Sequence, residues 1–258
     1  MQIHNNKNIF SASRLLPSFM ALVFSIFFGN LSFSQDQNVQ CGTVVSKEYY
    51  KEMREISSRL SRLRVQNYTP PCIDKTLSIV VHIVRDSLGN DNVNTSEIEN
   101  ELAILNTAFE TICLRFTICK YEYIDNFQFD TLTADKEKQL RIQYDVKDVI
   151  NWYFVEFFEH KPGSAGYAYL PGGPDNVFLR KQLYKGNTIT HEMGHFFGLL
   201  HTFDPGAGAT SSEYVDHSNC TTDGDGICDT DADPYLSLPS LSTPYFVNCE
   251  VLWSGKLV

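Results

Sequence analysis

Apolar residues change their spacing from segment to segment along this chain, and the changes mark its elements. Tyr50, Met53, Ile56, Leu60 and Leu63 recur at three- and four-residue steps, which predicts one short amphipathic helix. It runs into Gln66-Asn67-Tyr68-Thr69-Pro70-Pro71, whose double proline cannot continue a helix and reads as a linker. Leu77 to Val84 is rich in β-branched residues and bounded by the turn signal Leu88-Gly89-Asn90, so it reads as a strand. Asn94 then offers an N-cap with Glu97 three residues on, and Ile98, Leu102, Leu105 and Phe109 form one helical face. Leu114 to Tyr123 and Val149 to Phe158 read as further strands, with a short helix around Ala134 to Arg141 between them. Gly163 to Gly173 reads as a glycine-rich loop, Asn176 to Arg180 as a short strand, and a last helix starts near Thr188. Past His201 the periodicity fades into Gly, Asp, Ser, Thr and Pro, which predicts irregular structure held by ions and disulfides rather than by a core.

The N-terminus adds a leader to this plan. Lys7 and Arg14 precede the apolar stretch Leu15 to Phe28, and Ser32-Phe33-Ser34 has the small-x-small form of a cleavage site, so residues 1–34 are expected to be a signal peptide. The apolar run is shorter than the ~20 residues that span a bilayer. Asn38-Val39-Gln40 before Cys41 also lacks the Leu and the small residue of a lipid-attachment site, so no stable membrane anchor is expected. Residues 35–71 read as a leading segment with its own helix and linker, and residues 72–258 as the main domain. A net charge of -10 without a local basic stripe argues against a nucleic-acid partner. Seven cysteines in an exported chain point to disulfides, and the odd count leaves at least one without an internal partner. Cys113 and Cys119 are too far apart to pair if both lie on one strand, where each residue advances ~3.3 Å.

The candidate chemistry sits in Thr190-His191-Glu192-Met193-Gly194-His195-Phe196-Phe197-Gly198-Leu199-Leu200-His201. Residues four apart on a helix lie one turn above each other, so His191 and His195 can face a single zinc ion. Glu192 is placed to act as general base toward a water activated by that metal. Gly198 lets the chain leave the helix with positive φ, and His201 can then return as third ligand. Three protein ligands leave a fourth position open, which separates a catalytic zinc from a structural one.

With that motif go several other segments in order: Val81-His82-Ile83-Val84, Leu105-Asn106, Gly166-Tyr167-Ala168-Tyr169-Leu170-Pro171-Gly172, His201-Thr202-Phe203, and Cys220 leading to Gly224-Asp225-Gly226-Ile227-Cys228-Asp229-Thr230. From roughly Cys72 to Cys249 the chain resembles the pappalysin (ulilysin-like) family of metzincin metallopeptidases. The resemblance implies a propeptide at residues 35–71 and an α/β (α+β) catalytic domain at residues 72–258, with a twisted mixed sheet and helices above a cleft and an irregular lower subdomain beneath it. It implies a protein or peptide substrate, added as an extra strand along an edge strand above the zinc. The expected strand is Asn176, Val177, Phe178 and Leu179, whose other reading is plain core. It implies calcium near Asp225, Asp229 and Thr230, against the alternative of a solvated acidic loop. It gives Cys41 as the thiolate of a latency switch, against a rival disulfide to Cys72. It pairs Cys220 with Cys249 and puts a partner for Cys228 beyond residue 258. Metzincins carry a Met-turn after the third histidine, whereas no methionine follows Met193, so the sequence is expected to be incomplete at its C-terminal side.

Two other functions share these features. A catalytically inactive, metal-stabilised binding module has no need of a general base, and Glu192 is present. A zinc amidase acting on non-peptide amides would use the same water activation.

Overall fold

The computed structural model describes residues 40–65, 72–202, 204, 213–228, 230, 232, 252–253 and 256–257. The expected leader, the linker 66–71, Phe203, Asp229 and Cys249 lie outside the described residues.

The first element is a short strand, β1 (Gln40–Cys41), followed by helix α1 (Lys47–Val65), which contains the apolar spacing that predicts it. Strand β2 (Lys75–Val84) leads to helix α2 (Thr95–Ala108), where the Asn94 side chain accepts from the Ser96 N–H and so satisfies one of the free donors of the first turn. Strand β3 (Leu114–Ile124) follows, and Asn106 fastens α2 to it by exchanging two hydrogen bonds with the Phe116 backbone at 2.7 and 3.1 Å. Then come β4 (Thr131–Leu132) and helix α3 (Ala134–Tyr144), capped by the Thr133 hydroxyl.

The expected strand from Val149 to Phe158 is two strands, β5 (Ile150–Val155) and β6 (Phe157–Phe158). Between them the Glu156 and Phe157 N–H groups both donate to the Asp130 carbonyl, which turns the chain out of the main sheet and onto β4. The expected loop from Gly163 to Gly173 contains a strand, β7 (Ser164–Ala168). Its small residues hide the alternation, but its backbone pairs antiparallel with β8 (Asn176–Arg180). Helix α4 (Thr188–Phe196) carries the histidine motif. A separate two-stranded pairing joins β9 (Leu252–Trp253) to β10 (Lys256–Leu257).

The main sheet runs β1-β7-β8-β5-β2-β3, and all its pairings are parallel except β7 with β8. Alternating side chains therefore go to opposite faces. Val81, Trp152, Phe154, Val177 and Leu179 pack with α2 and α4 on one face. Tyr153, Val155, Phe158, Tyr167 and Phe178 pack with Leu140 of α3 on the other. This is the mixed α/β layering implied by the resemblance. It also corrects the expected substrate edge: Asn176, Val177, Phe178 and Leu179 are buried, and β8 has neighbours on both sides. The outermost strand on this side is β1, residues 40–41, and it covers the edge of β7, the next strand in.

Two disulfides correct the cysteine expectations. Cys72 pairs with Cys113, leaving Cys41 a free thiol, so the Cys41–Cys72 alternative does not hold. Cys220 pairs with Cys228 instead of Cys249, because the tight turns between them bring their Cα atoms to 5.1 Å. Cys228 therefore needs no partner beyond residue 258.

Candidate metal centre

Helix α4 is set in place from both ends. Glu101 of α2 accepts from the Gly186 and Asn187 N–H groups at 3.0 and 3.4 Å, which puts a carboxylate just ahead of the helix N-terminus. Ile189 and Met193 are fully buried against the sheet, and the Trp152 indole donates to the Met193 sulfur at 3.4 Å. Past Phe197, Gly198 has φ +96°, a value that lets the chain reverse.

That reversal brings His201 back to the helix. His195 Nε2 lies 3.1 Å from His191 Nε2 and 3.2 Å from His201 Nε2. On its other side the His195 ring meets the Leu199 carbonyl through Nδ1 at 2.7 Å. A carbonyl can only accept, so Nδ1 carries the proton and Nε2 presents its lone pair to the other two rings. Burial lowers the pKa of all three imidazoles, to about 4 for His195 and His201, which keeps them in the neutral form that a cation needs. The His195 tautomer leaves its Nε2 able to coordinate, and three neutral imidazoles converging in this way fit a divalent metal such as zinc.

Cys41 completes the group: its sulfur and the three imidazoles offer ligand atoms all within 4.8 Å of one another. The thiol also donates to Glu192 Oε2 at 3.7 Å. Burial, followed by the charge of Glu192, pushes Cys41 up to about 12. Glu192 is itself buried, which raises it to about 7, while bonds from Cys41 and Thr43 and the Lys161 charge act the other way.

Three contacts here have no clear mark in the sequence. Thr43 accepts from the Ala168 N–H at 3.0 Å and donates to Glu192 Oε2 at 3.3 Å, so the N-terminal segment touches β7 and the carboxylate together. The Lys161 ammonium donates to the Gly42 carbonyl. Tyr49 donates to the Gly198 carbonyl at 3.1 Å and Tyr50 to Asp204 at 2.6 Å, which seats α1 on the turn that positions His201. The Cys41-Gly42-Thr43 run was the available signal for the first, whereas nothing in the local pattern singles out Lys161.

The region expected to hold calcium is arranged differently. Asp225 accepts from the Ile227 N–H at 2.9 Å, and the Thr230 hydroxyl lies within hydrogen-bond distance of both the Ile227 carbonyl at 2.8 Å and the Asp225 carboxylate at 3.0 Å. Glu213 is buried beside it and raised to about 7 by burial and by the Asp225 charge. Among the described residues, only the Cys41 and histidine group has three or more such ligand atoms converging, so the calcium expectation gains no support.

The chain is similar to known metalloproteases. The family model described as pregnancy-associated plasma protein-A matches residues 176–250, which include α4 and His201. An extracellular metalloprotease of Arthroderma gypseum is 24% identical over 227 residues, covering 80% of this chain and 72% of the relative. One from Sordaria macrospora is 28% identical, covering 74% and 69%. One from Neurospora crassa is 27% identical, covering 78% and 76%.

Proposed function

We propose that the chain is a secreted endopeptidase of the pappalysin family, in which His191, His195 and His201 hold zinc and Glu192 is the general base, a reading supported by the family match over residues 176–250 and by relatives named extracellular metalloproteases. The convergence of three neutral imidazoles beside a buried carboxylate on the same helix carries this reading. When bound, zinc supplies Lewis acidity toward a peptide carbonyl and toward water. Glu192 takes the proton of the attacking water and returns it to the leaving amine. An extended substrate adds to β7 in place of residues 40–43, using the Gly166 carbonyl and Ala168 N–H that those residues now engage. Export is supported by the charged and apolar pattern of residues 1–34 and by the extracellular names of the relatives. No helix among the described residues is long and apolar enough to cross a membrane.

Glu192→Gln tests the central assignment. It should keep stoichiometric zinc and lower peptide cleavage by roughly 10²–10⁴-fold, the range for losing a general base. Metal content and turnover are measured on the same sample. Retained cleavage removes Glu192 from the mechanism, and lost zinc assigns it to structure.

Latency belongs to the same proposal. While Cys41 stands with the three histidines and Thr43 holds Glu192, neither water nor substrate has access to the carboxylate. Cys41→Ala in the uncut chain should raise cleavage, though less than removing the whole segment, since the Gly42 and Thr43 contacts remain. Activity as low as in the parent protein would take Cys41 out of the switch.

A further inference from the structure

Lys161 stands beside this centre and takes no part in the steps above. It lies in the turn between β6 and β7, half-buried, with its ammonium 4.8 Å from the Tyr167 ring centroid. Burial lowers its pKa, and the carboxylates of Glu137 and Glu192 oppose that lowering, which puts both within its electrostatic reach.

The obvious partner for this ammonium is already taken. Glu137 of α3 accepts from the Tyr167 hydroxyl at 2.9 Å and from the Tyr169 hydroxyl. Arg141 and His160 each approach the same carboxylate at 3.3 Å. Lys161 forms no ion pair among the described residues, and its ammonium donates to the Gly42 carbonyl instead. The Gly42 N–H donates in turn to the Gly166 carbonyl of β7 at 2.9 Å. A Cβ at position 42 would sit 2.8 Å from the Ser164 hydroxyl and 3.0 Å from Lys161 Cδ, so no larger residue fits without movement. The chain is thus held here by its peptide groups alone, in a notch made by Lys161, Ser164 and the edge of β7.

We propose that Lys161 is a substrate-anchoring residue: once the N-terminal segment leaves, its ammonium donates to a backbone carbonyl of the peptide lying along β7. The segment now in the notch shows the bond that a substrate would make. The long, flexible lysine stem lets the ammonium meet a carbonyl from a strand of either direction. A charged donor meeting a backbone carbonyl in a half-buried site affects binding more than a neutral one. The inference rests on the endopeptidase reading, and its test separates the two.

The full chain is opened by limited proteolysis in the 66–71 link and compared with Lys161→Met, which keeps the stem over Tyr167, and with Lys161→Arg, which restores a donor. The expected result for Lys161→Met is a KM about tenfold higher with kcat within about twofold, and substantial recovery in Lys161→Arg. A KM unchanged in Lys161→Met overturns the proposal. Calorimetry with a synthetic peptide of residues 38–46 gives a reading independent of turnover, and its Kd should weaken by about the same factor. If the parent protein cleaves no peptide, the endopeptidase reading falls, and the Kd comparison alone decides the anchor. If Lys161→Met fails to fold, the parent protein is titrated with the same peptide carrying sulfur in place of the Gly42 carbonyl oxygen. Weaker binding of that peptide supports the anchor, and equal binding overturns it.

Discussion

The chain before His201 and the chain after it are held by different forces. Before it, side chains from β2, β5 and β8 interleave with α2 and α4, and Trp152, Phe154, Val177 and Met193 are fully buried. After it, residues 213–228 form neither helix nor strand. Their order comes from short polar links such as the Tyr214 N–H to Asn219 at 2.7 Å and the Ser218 N–H to Asp216 at 3.0 Å, and from a disulfide closing eight residues. A packed core loses stability as a unit, whereas a series of side-chain turns opens link by link. His191 and His195 stand on the first kind of structure, and His201 is the last of the three histidines before the second begins.

The sharpest test of that contrast is Trp152→Ala. It removes a fully buried ring touching Met193, which lies between His191 and His195 in sequence, and should cost about 3–5 kcal/mol together with a loss of zinc affinity. Urea midpoints and metal titration measure both. A loss below about 1 kcal/mol would mean that the sheet face is not the cooperative core described here.

Cys228→Ser should act mainly on the later region. Opening so short a loop removes about 2–3 kcal/mol of chain restraint. The effect should appear as faster proteolysis within residues 213–232, with little change in the urea midpoint. A midpoint drop as large as that of Trp152→Ala would make the two regions one unit.

The smallest effect concerns pH. His82 is fully buried, stacked on Tyr153 at 4.4 Å, with Nε2 2.9 Å from the Asn151 side-chain oxygen and Nδ1 3.3 Å from Glu122. Burial lowers its pKa below 6.5, outweighing the Asn151 bond and the carboxylates Glu122 and Asp145, while Lys120 adds to the lowering. A group whose pKa falls on folding stabilises the protein above its unfolded value and loses that contribution as pH falls through the folded value. The melting temperature should therefore drop on acidification below pH 6.5 more steeply in the parent than in His82→Gln. Parallel profiles would show that His82 does not carry this dependence.

Legibility in the sequence followed the range of the contacts. The helix of His191 and His195, the Asn94 cap and the reversal at Gly198 depend on neighbours a few residues away, and the local pattern names them. Glu101 reaches Gly186 across 85 positions, Lys161 reaches Gly42 across 119, and Thr43 reaches Glu192 across 149. No periodicity encodes such pairings. Strand β7 escaped notice for another reason: Ser164-Ala165-Gly166 is small and close-packed, so its burial leaves no apolar alternation to read. With β7 unseen, β8 took its place as the expected edge.

The strand formed by residues 40–41 has a further consequence, because it is covalently part of the protein whose edge it covers. A tethered segment competes for its site at an effective concentration on the order of millimolar, whatever the dilution of the protein. A free peptide at micromolar concentration therefore meets a rival roughly a thousandfold in excess, even if both bind β7 equally well. Cutting the link makes that rival an ordinary solute, and dilution alone then shifts the competition toward the incoming chain.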